Sequence, residues 1–146
     1  MSFHITDKRV ATLLKSLGKY PKSSESHEKI FKYLNSEELQ LYFLRGLIDG
    51  DGNFYLNEKE GYGQFTLASN IDQDWTYLKE YLKDFNPHIN TSERKNGKSS
   101  VLRITGEKNI VSFIKYFKYD SIKIGLIRKI NKALSIINMY EKTNLK

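Results

Sequence analysis

Residues 43–52 read Phe-Leu-Arg-Gly-Leu-Ile-Asp-Gly-Asp-Gly, an apolar helical stripe that runs into two carboxylates with no basic residue in the same turn. The unpaired carbonyls of a helix C-terminus carry partial negative charge, so Asp49 and Asp51 destabilise that end unless a cation joins them. The stretch therefore predicts a helix built to end in a cation site. Upstream, Asn35 followed by Glu38 forms a capping-box pattern, and Leu39, Tyr42 with Phe43, Gly46 and Gly50 recur at helical spacing. Gly46 and Gly50 share one side, where the absence of side chains lets another helix approach closely. Asp49 and Asp51 do not share a face, which separates their roles. Asp49 is expected to hold backbone at the helix end, and Gly52 to let the chain leave the helix.

The run Leu44-Arg-Gly-Leu-Ile-Asp-Gly-Asp-Gly52 resembles the signature helix of the LAGLIDADG homing endonucleases. It departs from the motif at Arg45, where the family has alanine, and matches it or fills it conservatively elsewhere. An arginine is bulky for a tight helix seam, so Arg45 is expected to turn away from that seam. The resemblance implies that the metal-binding acid is Asp51, with the carbonyl of Gly50 beside it, and it covers roughly residues 36–140. Two other readings compete. Asp-Gly is a strong turn signal, but a hairpin is not preceded by helical spacing. Asp49, Asp51, Asn53, Asn57 and Glu60 also fall on ligand positions of a calcium-binding EF-hand loop. That loop needs glycine where Phe54 stands and an exiting helix where Gly61 and Gly63 follow.

After the motif the period shifts from helical to two. In residues 53–58, Phe54 and Leu56 face one way and Asn53, Tyr55 and Asn57 the other; in residues 62–68, Phe65 and Leu67 point inward and Tyr62, Gln64 and Thr66 outward. A helix carrying Trp75, Leu78, Leu82 and Phe85 on one stripe follows. Lys95-Asn96-Gly97-Lys98 is a hairpin signal between strands at 88–94 and 100–105, with Leu102 and Ile104 inward and Arg103 outward. Two helical stretches close the chain, one with Ile110, Val111, Ile114 and Phe117, the other with Ile124, Ile127, Ile130, Leu134 and Ile137. The order is αββαββα. It predicts an α+β fold, a four-stranded antiparallel sheet with helices on one face and the other face open.

The open face is polar, with Asn, Gln, Tyr, Thr, Arg and His at alternate positions able to meet base edges when strands lie in a major groove. The resemblance implies that this face binds double-stranded DNA, through Asn53, Tyr55, Asn57, Tyr62, Gln64, Thr66, His88, Arg94 and Arg103. Lys59, Lys95 and Lys98, read as loop residues, would serve phosphates, which position a protein without specifying sequence. The formal charge of +7 and pI near 9.4 suit such a polyanionic partner.

At 146 residues, 39% hydrophobic and 13% aromatic, the chain has the size of one domain and enough apolar surface to bury a core. Lack of cysteine excludes a disulfide framework and a thiolate zinc site. His4, His27 and His88 lack ligand spacing and are expected at the surface or facing nucleic acid. No long apolar run and no charged-then-apolar leader is found, so the expectation is an intracellular protein, cytoplasmic or in an organelle matrix, with no membrane span.

Residues 35–146 are read as the endonuclease-like domain and residues 1–34 as a strand-helix extension resembling the tail of a preceding repeat. Phe3-His-Ile-Thr6 with Lys8, Val10, Ala11, Leu13, Leu14, Lys15 and Leu17 parallels Leu102-Arg-Ile-Thr105 with Lys108, Ile110, Val111, Phe113, Ile114, Lys115 and Phe117. Phe3 and Ile5 would then extend the sheet or swap onto a partner chain. Cutting both strands of a duplex needs two sets of chemistry, and one chain supplies one such carboxylate. A homodimer packed through Gly46 and Gly50 about a two-fold axis would bring two Asp51 residues to the scissile phosphates. Mg2+, hard, oxygen-liganded and content to keep waters, is the expected ion. The family also places a basic residue near the water or phosphate, for which Lys123 and Lys129 are candidates. Ser69 and Asn70 are expected to order solvent nearby. The reading is a Mg2+-dependent, site-specific homing endonuclease, of the kind that serves intron or intein mobility. Its rival is a non-cleaving DNA-binding regulator or RNA maturase on the same scaffold.

Overall fold

The computed structural model describes residues 8–16, 27–94, 97–121 and 125–144. Two short helices, α1 (Lys8–Ser16) and α2 (Glu28–Tyr33), precede the long helix α3 (Glu37–Asp51). Strands β1 (Gly52–Asn57) and β2 (Tyr62–Asn70), helix α4 (Thr76–Tyr81) with a 3-10 turn at Lys83–Phe85, and strands β3 (His88–Arg94) and β4 (Gly97–Thr105) follow. Helices α5 (Glu107–Tyr116) and α6 (Ile127–Asn144) complete the chain. Among these residues no helix is long and apolar enough to cross a membrane.

Helix α3 starts one residue later than the capping-box pattern suggested. The Ser36 hydroxyl accepts the Leu39 N–H at 3.2 Å, while Asn35 is exposed. Ser36 has the extended backbone of a cap, and Glu37 and Glu38 then sit in the first turn, where the helix dipole favours acids. At the other end α3 runs straight into β1, the Gly52 N–H returning to the Ile48 carbonyl. A side chain at Gly52 would lie 2.6 Å from that oxygen and 2.7 Å from the Phe65 ring. The helix-to-strand junction therefore needs glycine for closeness. Gly52→Ala is expected to lose about 1–3 kcal/mol of stability by overpacking, read as a lowered denaturant midpoint against wild type.

The sheet has the order β1-β2-β4-β3 with every pair antiparallel. The period-two reading holds, because register aligns like with like. Phe54 pairs with Phe65 and Phe65 with Ile104, and Leu67 pairs with Leu102, itself opposite Ile89. These side chains form the floor of the core, on which Phe113 of α5 stacks against Phe65 at 4.6 Å, and Ile130, Ala133, Ile136 and Ile137 of α6 are buried. Each fully buried aliphatic or aromatic residue contributes about 1.5–3 kcal/mol. The expected α+β architecture, with helices on one face of a four-stranded antiparallel sheet, is the one observed.

Several details differ from the sequence expectation. Gly97, read as part of the hairpin signal, is in the ladder opposite Arg94, and Lys95 and Asn96 lie outside the described residues. Lys98 is in β4 opposite Glu93 rather than on a loop. The α4 helix begins after Trp75, whose buried indole N–H donates to the Ser100 hydroxyl at 2.8 Å, and that hydroxyl donates to the Asn70 carbonyl at 2.6 Å. Asn70 thus serves the joint between β2, α4 and β4. Ile127, expected in the core stripe of the last helix, is 72% exposed. The buried stripe begins at Ile130, after Lys129 of the same helix, whose ammonium donates to the Ile48 carbonyl near the end of α3.

Helix α2 lies within the segment read as an extension, yet Phe31 is 1% exposed in the core and its carbonyl accepts from the Gln40 side chain at 3.0 Å. Helix α2 therefore packs on the residues that follow position 34. The repeat pattern retains α1 as a helix, whereas Phe3 and Ile5 lie outside the described residues.

Candidate functional site

Asp51 is the last residue of α3 and is exposed, as is Gly50 before it. Beside Asp51 opens a small cleft of about 190 Å³ lined also by His27, Leu47, Ser69, Gln73 and Trp75. The two faces of the α3 terminus differ. On one side a Cβ at Gly46 or Gly50 would meet no heavy atom within 4 Å, and Leu39 and Tyr42 stand 48% and 49% exposed along the same helix. On the other side the helix end is locked into the protein.

The lock is cationic. Lys129 of α6 is only 5% exposed, and its ammonium donates to the Ile48 carbonyl at 2.7 Å and the Gly50 carbonyl at 3.3 Å. The missing charge at the helix C-terminus is thus supplied from a residue 81 positions beyond Ile48. Burial lowers the Lys129 pKa from the usual lysine range and Arg128 adds to this, while Asp49 and Asp51 oppose it. Lys123 lies outside the described residues.

Arg45 does turn from the glycine side, into the interior. It is 6% exposed, donates to the Phe117 carbonyl at 2.8 Å and the Lys118 carbonyl at 3.0 Å, and lies 4.3 Å from the Tyr119 ring centroid. Asp49, expected to hold backbone, accepts from the Tyr119 hydroxyl at 2.7 Å through one oxygen, the other lying against the backbone at Gly125. Desolvation, and then this hydrogen bond, raise the Tyr119 pKa far above the ordinary tyrosine value, so the hydroxyl stays protonated and donates.

Of the residues expected to order solvent, Ser69 is in the cleft, where its hydroxyl donates to Gln73 Oε1 at 3.2 Å, and Asn70 is not. Sequence reasoning missed Gln73, which sits in a polar stretch without periodicity. It also misplaced His27, which is 7% exposed in the cleft rather than on the surface. Neither carries a local signal.

The open face forms one continuous row across all four strands: Asn53 opposite Thr66, Thr66 opposite Arg103, and Arg103 opposite His88. Tyr55 and Gln64 form a second pair, and the Tyr62 hydroxyl donates to Gln64 at 2.6 Å. The Arg103 Nε is buried without a hydrogen-bond partner. Asn57 is turned to another use, its side-chain oxygen accepting the Glu60 N–H of the β1–β2 turn at 3.3 Å. Lys59 is exposed in that turn, and Arg94 ends β3.

Asp51 offers an exposed carboxylate and Gly50 a carbonyl with a lone pair to spare. Both are hard oxygen donors, of the kind that suit Mg2+ or Ca2+ with retained waters. Among the described residues no group of three or more His, Asp or Glu side chains could hold a metal. The donor set of one chain thus fits part of a divalent-cation shell.

The model of the LAGLIDADG-like domain family matches residues 38–118. Among solved structures, the chain is similar to the homing endonuclease I-TnaI at 16% identity and a TM-score of 0.53, over 73% of this chain and 77% of that one. It is also similar to the archaeal intron-encoded homing endonuclease I-Vdi141I complexed with DNA, at 15% identity and 0.50, over 75% and 69%. A third likeness is to the homing endonuclease I-CvuI in complex with the I-CreI target and 2 mM Mg, at 16% identity and 0.50, over 73% and 69%. No curated protein sequence matches the chain significantly. These likenesses show the fold.

Proposed function

This chain belongs to the LAGLIDADG family, and from that premise we propose that it is a site-specific double-strand DNA endonuclease acting as a homodimer with Mg2+. The observation that carries the reading is the exposed Asp51 carboxylate at the end of α3, beside the Gly50 carbonyl and the buried Lys129 ammonium, next to an open polar sheet face.

Asp51 and Gly50 would hold the ion, which would supply activation of water and offset the charge developing on the phosphate. Lys129 adds a fixed positive charge at the same place, and Ser69 with Gln73 orients water in the cleft. Asn53, Tyr55, Tyr62, Gln64, Thr66, His88, Arg94 and Arg103 meet base edges, while Lys59, Lys95 and Lys98 meet phosphates. One chain carries one such carboxylate. The open strip of Leu39, Tyr42, Gly46 and Gly50 is the surface a second copy would cover, bringing two Asp51 residues together about a two-fold axis. I-Vdi141I and I-CvuI, similar in fold, were crystallised with DNA, the latter with 2 mM Mg.

The test is incubation with a randomised duplex library and Mg2+, followed by sequencing of cut ends and sedimentation on the selected target. Cut, near-palindromic products and two chains per duplex are expected. Enriched but uncut DNA would replace the reading with a non-cleaving regulator, and one chain per cut duplex would end the homodimer.

A further inference from the structure

Asp49 lies two positions from Asp51 on α3, yet it is half-buried where Asp51 is exposed, and both its carboxylate oxygens are engaged. One oxygen accepts from the Tyr119 hydroxyl at 2.7 Å. The other lies against the backbone at Gly125, where an added Cβ would fall 2.5 Å from Oδ2 and 3.6 Å from the Arg45 guanidinium. Gly125 has φ +135°, so glycine is favoured there on conformational grounds as well. Tyr119 is 1% exposed, and Arg45 lies over its ring while holding the carbonyls that follow α5. The Tyr119 hydroxyl and the backbone at Gly125 therefore meet on a carboxylate that the proposed cleavage site does not use, with Arg45 packed beside both.

An acid at a helix C-terminus is unfavourable by itself. Two such acids near one helix end, with no cation between them, would also disfavour each other's charged form. Packing alone would be served as well by an apolar pair at 49 and 119.

We infer that Tyr119, with Arg45 and Gly125, is a positioning residue that sequesters the Asp49 carboxylate so that Asp51 alone presents negative charge to the cation. This rests on the endonuclease reading, and it adds a residue to that site which touches neither metal nor DNA. Tyr119→Phe keeps the ring and its contact with Arg45 but releases the carboxylate. The released charge draws the cation off the Asp51 position.

The experiment compares wild type, Tyr119→Phe, Asp49→Asn and the double variant. Mn2+ binding to the protein without DNA is followed by electron paramagnetic resonance, and cleavage of the library-selected target is followed at saturating Mg2+. Tyr119→Phe is expected to bind Mn2+ about fivefold more tightly, the size of one added exposed charge contact in water. It should cleave about tenfold more slowly with metal-free DNA affinity unchanged. Asp49→Asn in that background should return both values toward wild type, because the released group is then neutral. Unchanged Mn2+ affinity in Tyr119→Phe, or a double variant no faster than Tyr119→Phe, overturns the inference and leaves Tyr119 a packing residue. The Mn2+ titration requires no cleavage, so a wild type that binds DNA without cutting it removes the endonuclease reading and still decides the role of Tyr119.

Discussion

Asp51→Asn is expected to lower double-strand cleavage by about a thousandfold or more, the several kcal/mol that a bound divalent ion supplies to a phosphoryl transition state. Asparagine has the same shape and keeps one oxygen, so what is lost is the charge that holds the ion. Asp51 is exposed and ends its helix, hence no buried contact is broken. Removing a negative charge from a helix C-terminus is itself favourable by roughly 0.3–1 kcal/mol. The variant should therefore unfold at the same temperature or slightly higher, and should bind target DNA as tightly or more so, with less repulsion toward phosphate. Single-turnover cleavage, a filter-binding isotherm and a thermal melt check the three arms. Wild-type cleavage by the asparagine variant would remove the carboxylate from the chemistry.

Lys129→Met separates chemistry from architecture. Loss of one preorganised charge at a developing oxyanion typically slows a reaction by about 10²–10³-fold, and that fall is expected in the cleavage rate. Its effect on stability is expected to be small, within about 1 kcal/mol in either direction. Burial already lowers the Lys129 pKa, so the fold holds this ammonium at a cost, and methionine fills similar space without it. The Ile48 carbonyl keeps the Gly52 N–H, and Gly50 is exposed to water. A variant that melts far below wild type but cleaves normally when folded would make Lys129 a clamp for α3 and nothing more.

Much of the fold was legible because it rests on short-range periodicity. Phe54, Phe65, Leu67, Leu102 and Ile104 alternate with polar residues, and the antiparallel register brings the apolar set together without further instruction. Helix ends were less legible. The Asn35 and Glu38 pattern competed with Ser36, whose short hydroxyl reached the Leu39 N–H first, and Gly97, read as part of the hairpin signal, belongs to the ladder. Ile127 shows the limit of reading a stripe outward from its middle, since periodicity does not say where the neighbouring layer stops.

The motif helix, with its glycine side and its exposed terminal acid, was written in consecutive residues, and so was the polar face of the sheet. What stands around that acid was not. Lys129 reaches the end of α3 from α6, Tyr119 takes up Asp49 from beyond α5, and His27 and Gln73 enter the cleft from two unrelated connections. Helical and strand periods are properties of neighbours a few positions apart, set by backbone geometry that every sequence shares. A hydrogen bond across 70 positions depends on how layers pack, and that packing leaves no spacing in the chain for a reader to count. The end of α3 looked uncompensated in sequence because its counter-charge, the Lys129 ammonium on the Ile48 and Gly50 carbonyls, arrives only once the core has closed.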